Sequence, residues 1–196
     1  LSAFEVLAIL TAGVAAGTIN AVVGSGTLIT FPVLLAFGFA PVTANVSNTL
    51  GLAPGALTSA YGYRRELKGQ GRRAARLALA SSIGAVIGAI LLLVLPASAF
   101  KAIVPAFIAI ALILIVVQPR LSAWLAARAS RNERERRHVG SALFSGVFAS
   151  GVYGGYFGAA QGILLLAILA LGLDESLQRI NGVKNLLAGV ANLVAG

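Results

Sequence analysis

The chain has 196 residues, of which 58% are apolar and only 11% charged, with a mean hydropathy of +0.92. A soluble domain carries about 25% charged residues, so this composition excludes an ordinary water-facing surface and calls for a lipid solvent. The net charge of +9 does not read as a nucleic-acid patch, because twelve of the 15 Lys and Arg residues sit in two short blocks between apolar runs.

Eight apolar runs follow one another. Phe4 to Val23 is long enough to span a bilayer. Thr27 to Phe39 is too short for a roughly 30 Å hydrocarbon core at about 1.5 Å per residue. Asn45 to Tyr63 is long again, with Pro54 and Gly55 in its middle. The first basic block (Arg64, Arg65, Lys68, Arg72, Arg73, Arg76) precedes a hairpin of two runs, Leu77 to Leu95 and Ala102 to Val117. The second block (Arg120, Arg128, Arg131, Arg134, Arg136, Arg137) precedes Val139 to Phe157. A second short run, Ile163 to Leu173, leads to a last one from Leu177 to Gly196 that carries polar residues.

Both blocks flank the same hairpin, so they lie on one side, and the excess of positive charge marks that side as cytoplasmic. The expectation is a multi-pass protein of the cell's inner membrane, with loops 64–76 and 119–138 in the cytoplasm and the turn from Pro96 to Lys101 outside.

Shifting the sequence by 134 residues superposes Gly17 on Gly151, Gly24 on Gly158, Leu35 on Leu169 and Gly38 on Gly172. Each copy reads as a Gly-studded helix, a Gly-rich break, a short helix and a longer polar helix. The first copy begins outside and the second inside. The expected fold is therefore all-α and polytopic, with two inverted-topology repeats, a frequent build in secondary transporters. Residues 1–118 form the first repeat plus the hairpin, 119–138 the basic loop, and 139–196 the second repeat without a hairpin of its own. That asymmetry, and the absence of any Met at Leu1 or elsewhere, lead us to expect a longer native chain of roughly 250 residues on the repeat logic.

Chemistry has few places to sit. The chain has no cysteine, which removes disulfide and thiolate chemistry. The one histidine, His138, ends the second basic block and reads as a solvated bystander. No His, Asp or Glu set has metal-ligand spacing, so neither metal nor cofactor is implied. Glu5, Asp174 and Glu175 lie near the ends of runs, which disfavours cation transport and proton relays. Without Cys, membrane His or paired carboxylates, an intramembrane enzyme is also disfavoured.

What remains suits an anion. Gly-rich backbone inside a membrane is tolerated where it lines a cavity or is buried, and a helix that starts there offers amides and a positive dipole end. Gly24-Ser25-Gly26-Thr27 opens one short helix, and Gly158, Gln161 and Gly162 open the other. The pairs Gly13/Gly17 and Gly84/Gly88 read instead as helix-packing contacts. Asn181, Asn185, Ala188 and Asn192 share one helix face. Their counterparts Ser47, Gly51, Pro54 and Thr58 form a similar stripe, and the two stripes are expected to face a common axis. Either stripe can serve as hydrogen-bonding glue between helices instead. Lys184, beside the second stripe, is either a site cation or a lysine snorkelling to the interface.

The run Gly24-Ser25-Gly26-Thr27, Pro32, Gly38 and Ala44-Asn45-Val46-Ser47-Asn48-Thr49 resembles the sulfite exporter TauE/SafE family. The stretch from Arg179 to Asn192 resembles that family's C-terminal copy. The resemblance implies a membrane permease for sulfite, sulfonates or related organosulfur anions, built from about seven to nine helices in two homologous halves. Two departures stand out: the first break is Gly-Ser-Gly-Thr where many members have a run of glycines, and the second short helix lacks a counterpart of Pro32. The expected partners are a small anionic substrate and the lipid bilayer, not nucleic acid, with homo-oligomerisation left open. The rival reading is a non-transporting membrane scaffold that uses the same Gly and Asn residues for packing.

Overall fold

The structure, a computed structural model, describes residues 1–129 and 139–196. Arg131, Arg134, Arg136, Arg137 and His138 of the second basic block lie outside the described residues.

Eight helices follow one another: α1 (Ala3–Val22), α2 (Thr27–Ala36), α3 (Pro41–Gly62), α4 (Gly71–Val94), α5 (Ala97–Ala129), α6 (Val139–Tyr156), α7 (Gln161–Gly172) and α8 (Leu177–Ala195). No strand occurs among the described residues. Each expected run became one helix, and the chain is an all-α polytopic membrane protein. Three of the helices, α1, α4 and α5 up to Leu121, are long and apolar enough to cross a membrane by length and composition. The short helices α2 and α7 have 10 and 12 residues. At about 1.5 Å per residue neither spans a hydrocarbon core.

Local chemistry explains the boundaries. Ser2 caps α1 and exchanges bonds with Glu5 in a capping box, which satisfies the first orphan amides. Pro41 begins α3 at the first turn, where its missing N–H costs nothing. Pro54 sits inside α3 without ending it. The helix α5 runs past Val117, where the apolar run stops, through Pro119 to Ala129. The expected loop at 119–138 is therefore helical in its first part, because Leu121 to Ala129 is rich in the strong helix formers Leu, Ala and Arg.

The halves share an element order. In each, a long helix ends at a break, a short helix returns, and a third helix follows; α1, α2 and α3 touch one another as α6, α7 and α8 do. The third helices α3 and α8 pack together, and α4 lies along α6 and α8. The α4–α6 contact is backbone on backbone. A Cβ on Gly84 would come 2.9 Å from the Val152 nitrogen, and one on Gly88 would come 2.7 Å from that of Tyr156. The matching face of α1 (Val14, Thr18, Val22) is exposed.

Two buried clusters lie around the breaks. One is aromatic: Phe31 of α2 and Phe100 and Phe107 of α5 surround Phe157, with ring centroids 5.2, 6.0 and 5.7 Å away. The other is aliphatic and gathers Leu77, Val147, Leu165, Leu169, Ile180, Val183 and Leu187 from α4, α6, α7 and α8. At one end, the Glu175 carboxylate accepts from Arg73 at 2.5 Å and forms an ion pair with Arg179 at 2.7 Å. Arg179 also donates to the Lys68 carbonyl at 3.3 Å. These contacts tie the α3–α4 loop and the start of α4 to the α7–α8 loop and the start of α8. In the first basic block Arg64, Arg65, Lys68, Arg72 and Arg76 are exposed, and Arg73 is half-buried in this ion pair.

Candidate functional site

The two breaks meet. The Gly162 N–H, at the start of α7, donates to the Gly24 carbonyl at 3.1 Å. A Cβ on Gly24 would lie 2.5 Å from the Gly162 Cα, so both positions need glycine for contact. Gly24 also has a left-handed backbone, φ +85°, which glycine adopts without steric cost. The second break carries two left-handed residues, Gly158 at φ 75° and Ala160 at φ 58°. A non-glycine residue in that region is strained, and such strain concentrates at functional positions.

Each break is held in place by neighbouring side chains. Gly26, buried against the α1 carbonyl of Ala16, donates its N–H to Asn20 Oδ1 at 3.4 Å. Thr27 Oγ1 accepts from Asn48 Nδ2 at 3.1 Å, and the Thr30 hydroxyl donates to Asn48 Oδ1. Ser25 is buried beside them. On the other break, Gln161 Nε2 donates to the Ser150 carbonyl at 3.0 Å, with its amide laid against Gly154. The Tyr153 hydroxyl donates to the Ala159 carbonyl at 2.6 Å.

The ends of the first helices of the two halves are capped from the opposite half. Asn45 of α3 donates its Nδ2 to the Tyr156 carbonyl, the last of α6, at 3.0 Å. Lys184 of α8 directs its Nζ at the carbonyls of Val22 and Ala21, 3.3 and 3.5 Å away, and Asn185 Nδ2 donates to Ala21 at 3.4 Å. These are orphan carbonyls of a helix C-terminus, the negative end of its dipole, and a cation or donor there is favourable. Lys184 is only 1% exposed, so it stays inside the protein and does not snorkel.

The expected site residues thus divide. Gly24, Ser25, Gly26, Thr27, Gly158, Gln161, Gly162, Lys184 and Asn185 belong to the two breaks and the side chains that brace them. Asn181 is half-buried, and its Oδ1 is a buried acceptor with no protein partner among the described residues. Ser47 is not brought to the crossing. It is exposed and lines, with Thr30, Asn48, Gly51 and Gly13, a separate cavity of about 170 Å³ between α1, α2 and α3. Its stripe partners Gly51, Pro54 and Thr58 are exposed too, whereas Asn185, Ala188 and Asn192 are buried. The two stripes therefore differ in environment: α4 packs on α8, and among the described residues no helix takes that place on α3.

Asn45 and Asn48 were not singled out as site residues from sequence. Their signal was present in the Asn45-x-x-Asn48 spacing, which puts two amides about one helical turn apart on α3. The Asn45 Oδ1 is a second buried acceptor with no partner among the described residues. Among those residues no group of His, Cys, Asp and Glu could hold a metal ion.

The family model described as "Sulfite exporter TauE/SafE" matches residues 9–196. The chain is 29% identical over 150 residues to "Probable membrane transporter protein YfcA" of Escherichia coli (strain K12), covering 75% of this chain and 52% of that protein. It is 35% identical over 113 residues to "Probable membrane transporter protein ORF9" of Sinorhizobium sp, covering 57% of this chain and 43% of the relative. It is 29% identical over 172 residues to a "Probable membrane transporter protein" of Haemophilus influenzae (strain ATCC 51907 / DSM 11121 / KW20 / Rd), covering 85% and 64%. The chain spans about half the length of the first of these relatives. No solved structure matches it at a significant level.

Proposed function

The chain belongs to the sulfite exporter TauE/SafE family, and from that premise we propose that it carries the core of a secondary transporter for a small organosulfur anion such as sulfite or a simple sulfonate. Its two halves act as inverted repeats in the inner membrane, with the basic loops in the cytoplasm. Access alternates when one half rocks against the other around the crossed breaks.

The observation that carries this reading is the buried crossing of Gly24 and Gly162 with Lys184 beside it. Irregular backbone at membrane depth is sustained where it is enclosed by protein or lines a path. A cation there, in a chain whose described carboxylates Glu5, Glu66, Asp174 and Glu175 lie in loops or in a first helical turn, favours negatively charged cargo. Gln161, Asn181 and Asn185 supply amides, and Ser25 and Thr27 supply hydroxyls, all of which can hydrogen-bond the oxygens of a sulfur oxyanion. As the halves part, the Gly162 amide is freed from Gly24 and becomes available to the cargo at a helix N-terminus.

Uptake into proteoliposomes, with labelled sulfite, sulfate, methanesulfonate and chloride compared side by side, tests the reading. Selective flux of a sulfur oxyanion is the expected result. A folded protein that moves none of them is instead a packing scaffold of the same membrane.

A further inference from the structure

We propose that Lys184 couples cargo binding to the parting of the two breaks by exchanging partners: the C-terminal carbonyls of α1 when the site is empty, and the anion when it is filled. The inference rests on the transporter reading above and assigns the trigger of that same site.

Lys184 is the one Lys or Arg that is fully buried among the described residues. A buried cation is costly unless something compensates its charge. The partners it has are the carbonyls of Val22 and Ala21. These are dipoles with partial charges, not a counter-ion, so compensation is incomplete. An anion that reaches Lys184 offers a full charge and forms the stronger, charge-assisted bond.

The consequence follows from chain connectivity. Val22 ends α1, and Gly24, two residues on, is the acceptor for Gly162. Lys184 is on α8, in the opposite half from α1. The bond it makes is therefore one of a small set that hold the halves together at the crossing, with Asn185 to Ala21 and Gly162 to Gly24. When Lys184 turns to the cargo, the end of α1 loses its cationic cap. The first break is then held to the second half by fewer bonds. The anion binds the parted state better than the closed one, which is the differential affinity a population shift requires.

The chain has no cysteine, so a single engineered thiol reports without background. Ala159→Cys places it in the second break, at a fully buried position. Labelling by a water-soluble maleimide is followed in proteoliposomes with and without methanesulfonate, a sulfonate that does not consume the reagent. In the Ala159→Cys parent, labelling is slow and rises about tenfold with the anion, the shift that ~1.4 kcal/mol of differential binding produces. Adding Lys184→Gln makes labelling fast without anion and insensitive to it. Lys184→Arg, which keeps the charge, retains the anion response. Should Lys184→Gln not fold, Asn185→Ala provides the second variant: it removes one bond to Ala21, so anion-free labelling rises by a smaller factor.

Slow labelling in Lys184→Gln that still accelerates with methanesulfonate overturns the exchange, as does unchanged anion-free labelling in Asn185→Ala. If the parent transports but its labelling ignores the anion, the coupling is wrong and the transporter reading stands. If no anion is transported and none changes the labelling, the transporter reading fails and takes this inference with it.

Discussion

Gly162 donates its backbone N–H to the carbonyl of Gly24 across 3.1 Å, joining the two points at which the helices of the two halves are interrupted. The bond spends an amide of the α7 N-terminus inside the protein, so the positive end of that helix is closed off by the opposite half. In the proposed transport cycle, closed and parted arrangements of the breaks differ by this bond.

The tightness of that contact predicts the effect of one methyl group. Gly24→Ala adds a Cβ 2.5 Å from the Gly162 Cα and also forces an L side chain to φ +85°. Clash and strain together cost roughly 2–4 kcal/mol. Gly162→Ala meets the same backbone from the other side. Gly17→Ala, where nothing lies within 4 Å of the new Cβ, is the matched control. Thermal unfolding in detergent should place both crossing variants well below the parent and the control close to it. Equal behaviour of all three contradicts the contact.

Asn45 distinguishes donor from acceptor. Its Nδ2 satisfies the Tyr156 carbonyl at 3.0 Å inside the protein. Asn45→Leu leaves that carbonyl bare but also removes the unpartnered Oδ1, for a net loss of about 1–2 kcal/mol. Asn45→Asp is nearly the same size and sets one acceptor against another, with a buried charge added, so it should cost more, about 3 kcal/mol or above. The order of melting temperatures, parent above Leu above Asp, is the check. Asp tolerated as well as Leu would mean that the amide does not donate to this carbonyl.

Much of this was legible in the sequence, for specific reasons. Apolar runs punctuated by Gly and Pro delimit helices, and all eight runs became helices. The short lengths of α2 and α7 follow from the same count. The crossing itself was not legible, because Gly24 and Gly162 are far apart in sequence and meet through backbone atoms, which no side-chain pattern records. Lys184 was ambiguous for a related reason: its partners are the carbonyls of Ala21 and Val22, and any residue type supplies a carbonyl. The Ser47 and Asn181 stripes have the same periodicity, yet α4 covers only the α8 side. Periodicity finds a face and does not say what lies on it.

The Glu175 carboxylate joins two arginines from the first turns of α4 and α8, and its own side chain is 19% exposed. Being only partly screened, the pair contributes about 1 kcal/mol or less, and salt weakens it further. Glu175→Gln should lower the melting temperature by a few degrees at low salt and by less at high salt. The charge-swapped double variant Arg73→Glu/Glu175→Arg should lose less than the sum of its single changes. Strict additivity of the two would show that they do not interact.

The cavity of about 170 Å³ beside Ser47 offers a rival place for cargo, since Thr30 and Asn48 also line it. Two facts argue that the path lies at the crossing instead. Asn48 is already bonded to Thr27 and Thr30, and the cavity contains no charged side chain. Gly13 stands on its wall, and a Cβ added there meets nothing within 4 Å, so a leucine has room to enter the void. Filling a void with apolar atoms removes no bond at the breaks and restores dispersion contacts to the lining. Gly13→Leu should therefore fold at least as stably as the parent and keep its anion flux within about twofold, the small change expected of a substitution remote from the binding contacts. Loss of flux in a variant with parental stability would move the cargo from the crossing into this cavity, and Ser47, Thr30 and Asn48 would become its ligands.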